Sequence, residues 1–187
     1  MKIKLNNISS IQTGIYAKPD ISGEVLYIQA RHFDSNGLFN STVRPDLKHD
    51  KKLEKHLLKP GDILFAAKGS NNFAVLYQSA IGAAVASSMF FIIRIIDQQK
   101  IEPEYLRWYL NHPNSINFLK GKSKGTSLPS ISKDDLGDLD IIIPSLKTQE
   151  TIVKINDLQK QKRRIFEKLE KLKDYTIQQK LFRAIRN

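Results

Sequence analysis

The C-terminal fifth of the chain constrains the fold most strongly, because no glycine or proline occurs between residues 145 and 187. Ser145 or Thr148 could cap a helix there, and Glu150 would lie in its first turn, where the helix dipole favours an acidic side chain. A helix of about 38 residues would be ~57 Å long. That length exceeds the diameter of a domain built from the rest of the chain.

Apolar residues in this segment repeat at heptad spacing along two seams, and five of the eight seam positions are apolar. One seam is Leu158, Ile165, Leu172 and Gln179, and the other is Ile155, Lys162, Leu169 and Thr176. Such a stripe requires a partner helix to cover it, from another chain or from another copy of this one. We therefore predict dimerisation through six seam residues: Ile155, Leu158, Lys162, Ile165, Leu169 and Leu172. The length of the stripe disfavours the alternative, a helix folded back on its own domain.

The fold class that these patterns predict is α+β. A mixed α/β domain over residues 1–144 precedes a long coiled-coil helix over residues 145–187. The apolar run 83–96 suits one long strand in the interior of a sheet. Other segments with strand composition are residues 25–30, 62–67, 73–77 and the stretch that ends at Pro144.

Three short helices are predicted within this domain. Asp50 could cap the first, which would run through Leu57. Pro103 suits the first position of the second helix, Pro113 interrupts it, and the third helix would end at Gly121.

The charge balance indicates a polyanionic partner. Thirty Lys and Arg residues against nineteen Asp and Glu give a net charge of +11 and a pI near 9.7. Residues 149–187 hold eleven basic and five acidic side chains, which is more than half of the excess charge. A basic balance of this size is typical of nucleic-acid binding.

Several classes of chemistry are excluded or disfavoured. The chain has no cysteine, so thiol catalysis, disulfides and thiolate metal sites are ruled out. The four histidines have no metal-ligand spacing. Asp46 and Asp50, which precedes Lys51 and Lys52, superficially match a metal-dependent nuclease motif. The three residues between these two acids are too few for a hairpin, so a helix-capping charge run is the better interpretation. We therefore predict no catalytic residue, no metal and no cofactor.

The N-terminal residues lack the apolar stretch of a signal peptide, and no apolar run approaches the ~20 residues of a membrane span. We expect a cytoplasmic protein that does not bind membranes.

Two polar, basic loops are the main candidates for DNA contact, since Lys and backbone amides suit phosphates while Asn, Ser and Thr can read base edges. Side chains near the predicted turn at Gly37 could extend the surface. The predicted DNA-binding residues are Arg31, His32, Arg44, Lys68, Ser70, Asn71, Asn72, Lys122, Ser123, Lys124, Thr126 and Ser127.

The motifs, in their order along the chain, resemble those of a half-length specificity subunit of type I restriction–modification enzymes. Residues 60–70 resemble the family's Gly-Asp-Ile-Leu strand with its Gly-Ser loop, and residues 105–110 its Tyr-Leu helix. Residues 125–139 are similar to its Gly…Ile…Leu passage. The most specific segment is 141–153, which resembles the proline-to-Gln…Ile-Val start of the spacer helix.

The resemblance implies a non-catalytic subunit that reads double-stranded DNA and directs adenine-N6 methylation and restriction. It implies as partners a methyltransferase subunit, which supplies the S-adenosylmethionine site, and an ATP-dependent restriction translocase. The usual subunit has two recognition domains and two spacer helices, whereas one of each is predicted here. We therefore expect a homodimer that reads an interrupted palindrome. A truncated gene, a recombination cassette and a fragment of a longer subunit are alternatives.

A rival hypothesis is a coiled-coil adaptor or a decoy that modulates such a complex without specific DNA binding of its own. A small nuclease is the third and least supported hypothesis.

Overall fold

A computed structural model of the protein describes residues 2–20, 23–34, 37, 39–40, 42–69, 71–123 and 129–185. The chain forms two compact units, Met1–Gln149 and Glu150–Asn187. The α+β fold class predicted from the sequence is confirmed, because mixed sheets and short helices precede one long C-terminal helix. The boundary at residue 144 between a recognition domain and a spacer helix stays a prediction about function.

The centre of the N-terminal unit is a four-stranded antiparallel sheet with the order β2-β7-β4-β5. Its strands are β2 Ser9–Thr13, β7 Phe90–Ile95, β4 Ile63–Ala66 and β5 Ala74–Leu76. Every residue of β4 is buried, as expected for an apolar run in the interior of a sheet. Two further pairs complete the sheets: β3 Leu26–Ile28 lies parallel to β6 Ala84–Ala86, and β1 Lys2–Lys4 lies antiparallel to β8 Asp140–Ile142.

The prediction of one long strand over residues 83–96 is wrong. This run divides into β6 and β7 at a turn that Phe90 N closes by donating to Ser87 O over 2.9 Å. The two strands then belong to different sheets. Hydrophobicity alone does not show such a break, because both strands are buried and apolar.

The helices are α1 Lys51–Glu54, α2 Pro103–Asn111, α3 Pro113–Lys122, α4 Lys133–Gly137 and α5 Leu146–Ala184. Asp50 caps α1 and Pro103 begins α2, as predicted. α1 ends at Glu54, before the predicted end at Leu57, and α3 continues one residue past Gly121. Ser145 caps α5, since its Oγ accepts a hydrogen bond from Thr148 N at 3.3 Å. None of the described helices is long and apolar enough to cross a membrane.

Two buried polar side chains fix the N-terminal unit internally. Asp62, from the Gly-Asp-Ile-Leu segment, accepts two hydrogen bonds from Arg94 on the neighbouring strand, at 2.7 and 2.6 Å, and one from Lys59 N at 2.8 Å. The hydrogen bond with Asp62 raises the pKa of Arg94. Gln149, in the first turns of α5, is fully buried. Both residues of these family-like motifs therefore have structural roles.

Candidate nucleic-acid interface

Five loops meet at one end of the sheets of the N-terminal unit, and we call this region the loop edge. It consists of residues 14–16, 29–33, 67–69, 71–72, 87–89 and 129–131. The strand order explains the convergence, because β2 and β4 end where their antiparallel neighbour β7 begins. β3 and β6 are parallel, so their carboxyl ends also lie side by side.

Backbone hydrogen bonds join these loops to one another. Gly14 N donates to Phe90 O at 3.0 Å, and Ala67 N donates to Met89 O at 3.0 Å. Ser87 N donates to Ile28 O at 2.9 Å. The crossing at Gly14 requires glycine, because a Cβ there would lie 2.2 Å from Ser87 O. The loop edge is therefore held by backbone contacts.

The first basic loop is hydrogen-bonded to residues 129–131, which follow the predicted second basic loop in the chain. Gly69 N donates to Pro129 O at 2.8 Å, and Ile131 N donates to Ala67 O at 3.0 Å. Lys68 and Ser130 form an isolated antiparallel bridge between these hydrogen bonds. These contacts to the first loop are thus made by the segment that connects the second loop to Ile131.

Within the first basic loop, Asn71 is exposed and Lys68 is partly buried. Asn72 shapes the loop, because its Nδ2 donates to Ala66 O at 3.0 Å. In the second loop, Lys122 is exposed at the end of α3, where its Nζ lies 5.9 Å from the centre of the Phe118 ring, and Ser123 is partly buried. The predicted contacts at Ser70, Lys124, Thr126 and Ser127 lie outside the described residues.

Arg31, His32 and Arg44 have different environments. Arg31 and Arg44 are exposed, whereas only 8 % of His32 is exposed. His32 Nδ1 accepts a hydrogen bond from Gln29 N at 3.3 Å, and the ring meets Phe39 edge-on. Burial, and to a lesser extent the charge of Arg31, lowers the pKa of His32. The buried position of His32 favours support of the loop that carries Arg31 over a direct base contact.

The acidic pair considered for nuclease chemistry is used in folding. Asp46 Oδ1 accepts a hydrogen bond from Tyr27 N at 2.8 Å, and Asp50 Oδ1 accepts one from Lys52 N at 3.2 Å. Among the described residues, no group of three or more His, Cys, Asp or Glu side chains could hold a metal ion.

The predicted dimerisation stripe lies along α5 and is exposed in the single chain. Ile165, near the middle of the helix, is 60 % exposed. The other apolar residues of the stripe are also exposed, namely Ile155, Leu158, Leu169 and Leu172. Lys162, the charged member of the set, lies with its Nζ 5.7 Å from the centre of the Phe166 ring.

Tyr16 is not among the predicted DNA-binding residues, although 87 % of this side chain is exposed at the loop edge. The signal that could have found it is the neighbouring Gly14, which marks a close backbone crossing and hence a fixed loop. An exposed tyrosine whose backbone is fixed is a better candidate for a binding contact than one on a mobile segment.

A sequence model of the type I restriction modification DNA specificity domain matches residues 21–181. The chain belongs to this family. The resemblance predicted from its motifs is thereby confirmed.

Solved structures of specificity subunits have a similar fold. The type I restriction-modification S subunit from M. genitalium superposes with a TM-score of 0.59 at 15% identity, over 84% of this chain and 38% of that one. The HsdS subunit from Thermoanaerobacter tengcongensis gives a TM-score of 0.62 at 19% identity, over 87% and 37% of the two chains. A chain from a study of complex assembly and conformational transition of the type I R-M system gives a TM-score of 0.57 at 18% identity, over 87% of this chain and 38% of that one.

This chain therefore spans less than two fifths of the length of these relatives. No match was found among curated protein sequences.

Proposed function

We propose that this chain is a DNA-recognition subunit of a type I restriction–modification complex, without catalytic activity of its own. The observation that carries the proposal is the hydrogen-bonded loop edge, which holds the loops of Arg31 and Lys68 at one end of the sheets. Phosphate contacts by Arg31, Arg44, Lys68 and Lys122 would position the duplex. Asn71 and Ser123, with the loop residues outside the described part, would contact base edges.

The proposed complex contains two copies of the chain, joined through α5. The exposed stripe centred on Ile165 supports this arrangement, because complete burial of an exposed Leu or Ile contributes roughly 1.5–3 kcal/mol, and each of these half-exposed side chains would gain part of that. A two-fold dimer presents two identical loop edges to DNA. The target would then be an interrupted palindrome with identical inverted half-sites.

The proposed partners follow from family membership. An adenine-N6 methyltransferase subunit would supply the reactive chemistry and the S-adenosylmethionine site, and a restriction translocase would act on DNA without the methyl mark. The complex would act in the cytoplasm, where its DNA substrate lies.

The deciding experiment maps adenine methylation in cells that express this chain together with a methyltransferase subunit of the same system. We expect methylation at one interrupted palindrome, lost when the charges of Arg31 and Lys68 are removed. An asymmetric bipartite site would show that the chain pairs with a different subunit. A methylation pattern that is independent of the chain would favour the adaptor or decoy hypothesis.

A further inference from the structure

Tyr16 has the highest exposed fraction of the large apolar and aromatic side chains in the described residues, at 87 %. It lies between Ile15, which bridges to Ser87 at the loop edge, and Ala17. Ile15 and Ala17 are partly buried and pack against the cluster formed by Val25, Tyr27, Leu47 and Val85. The alternation of an extended segment therefore projects Tyr16 away from this cluster.

The hydroxyl of one buried residue fixes the backbone on both sides of Tyr16. Tyr27 Oη donates to Ile15 O at 3.0 Å and accepts a hydrogen bond from Ala17 N at 3.3 Å. Ile15 N also donates to Ala86 O at 2.9 Å. Tyr27 itself is buried, and its backbone N donates to the carboxylate of Asp46. The segment is thus rigid, although its central side chain is in solvent.

We propose that Tyr16 contacts duplex DNA through its ring and contributes affinity that does not depend on charge. This inference rests on the proposed function, because the occupant follows from Arg31 and Lys68, the exposed and half-buried basic side chains of the loop edge. A tyrosine with a fixed backbone loses little conformational freedom on binding and can cover a large area of sugar and base surface. Residues of this kind carry a disproportionate share of interface energy.

The charge-independent nature of the contact gives a specific test. We compare the affinities of the full chain and its variants for a DNA duplex of randomised sequence over a range of salt concentrations. Tyr16→Ala should weaken binding about 5–10-fold without changing the slope of log K against log salt. Lys68→Gln should reduce that slope by about 1, because one phosphate contact is lost.

Ile96→Ala is the matched control. Ile96 is 70 % exposed, but it follows the end of β7 that is opposite to the loop edge. We expect wild-type affinity and an unchanged salt slope for this variant. Thermal unfolding of all variants checks that the substitutions leave the fold intact.

A double-mutant cycle tests the positioning role of Tyr27. Tyr27→Phe removes the hydroxyl that fixes Ile15 and Ala17, so it should weaken DNA binding when Tyr16 is present. The same substitution should have no further effect on binding in the Tyr16→Ala background, because the residue that it positions is gone.

The outcomes separate this inference from the proposed function. If the wild-type chain binds the duplex with salt dependence while Tyr16→Ala binds like Ile96→Ala, the tyrosine contact is overturned and DNA recognition stands. If the wild-type chain does not bind duplex DNA at all, both proposals fail. A changed salt slope for Tyr16→Ala would mean that the substitution disturbs the basic loops, which also contradicts the inference.

Discussion

Gln149 is a buried amide that holds the start of α5 in place. It is 0 % exposed and uses both ends of its side chain. Its Nε2 donates to Lys100 O at 2.9 Å and to Pro144 O at 3.0 Å, and its Oε1 accepts a hydrogen bond from Glu102 N at 2.9 Å. These contacts fix the first turn of α5, residues 146–149, to the segment that precedes α2.

Substitution of Gln149 by leucine should lower the free energy of unfolding by about 2–4 kcal/mol, because three hydrogen bonds of this buried amide to the backbone at Lys100, Glu102 and Pro144 would be lost. Gln161→Leu, at an exposed position of the same helix, is the control and should change stability little. Denaturant unfolding of both variants measures the effect. Equal stability of the two variants would show that the amide hydrogen bonds contribute nothing net.

His32 makes the stability of the loop edge depend on pH. Its pKa is lowered from 6.5 in the folded protein, mainly by burial. As the pH falls below about 6.5, the unfolded state therefore takes up the proton first, and the folded state loses stability until the pH passes the lowered folded pKa. Above the unfolded pKa this contribution to stability is fully present.

Urea unfolding of the wild type and of His32→Asn, at pH values above and below about 6.5, measures this contribution. Asparagine keeps an acceptor for Gln29 N but does not titrate in this range, so its stability should fall less on acidification. The acidic groups titrate in both proteins and cancel in the comparison. An equal fall in both would show that His32 does not contribute.

At the scale of secondary-structure elements, the long helix α5 has only one buried residue, Gln149, among those that the structure describes. Its apolar stripe is exposed, and basic residues exceed acidic residues along its length. One seam position, Lys162, carries a charge, which in helix pairs commonly fixes register at a cost in stability. A helix with this pattern needs a partner of matching apolar face.

Sedimentation of the intact chain should show a dimer that Ile165→Asp with Leu169→Asp converts to monomer, since two charges would be buried in the contact. Asn156→Asp with Gln178→Asp adds the same charge outside the two seams and should leave the dimer intact. A monomer at tens of micromolar for the wild type would contradict dimerisation and the two-domain arrangement together.

At the scale of the whole molecule, the proposal makes the helix pair responsible for the distance between half-sites. A helix rises ~1.5 Å per residue, and B-DNA ~3.4 Å per base pair. The loop edge would determine the sequence of each half-site, and α5 would determine the length of the spacer between them. These two properties should therefore respond to different substitutions.

Deletion of one heptad, residues 163–169, removes ~10 Å of helix and keeps the seams in phase. If the recognition domains move by that full amount, the preferred spacer shortens by about three base pairs. Substitution of Lys68 or Lys122 should change affinity or half-site preference and leave the spacer unchanged. Methylation mapping with each variant measures both properties. An unchanged spacer after the deletion would show that α5 does not set the distance.

The sequence by itself determined the elements whose signals are local. The lack of glycine and proline after Ser145 and the heptad pattern predicted α5, and the cap at Asp50 and the start at Pro103 were also predicted correctly. The order of the family-like motifs indicated the family that the sequence match confirms. The helix and cap signals depend on residues close together in the chain, and the family signal on the order of motifs along it, so neither requires the folded structure.

Only the tertiary structure decided which segments meet. The break at Ser87 within the apolar run 83–96, the pairing of Gly69 with Pro129, the burial of His32 and the exposure of Tyr16 all depend on contacts between residues that are distant in the sequence. A strand has the same composition in either sheet, and a loop has the same composition wherever it lies. Hydrogen bonds between strands determine which sheet a strand joins and which loops lie side by side, and these bonds form only when the whole chain is folded.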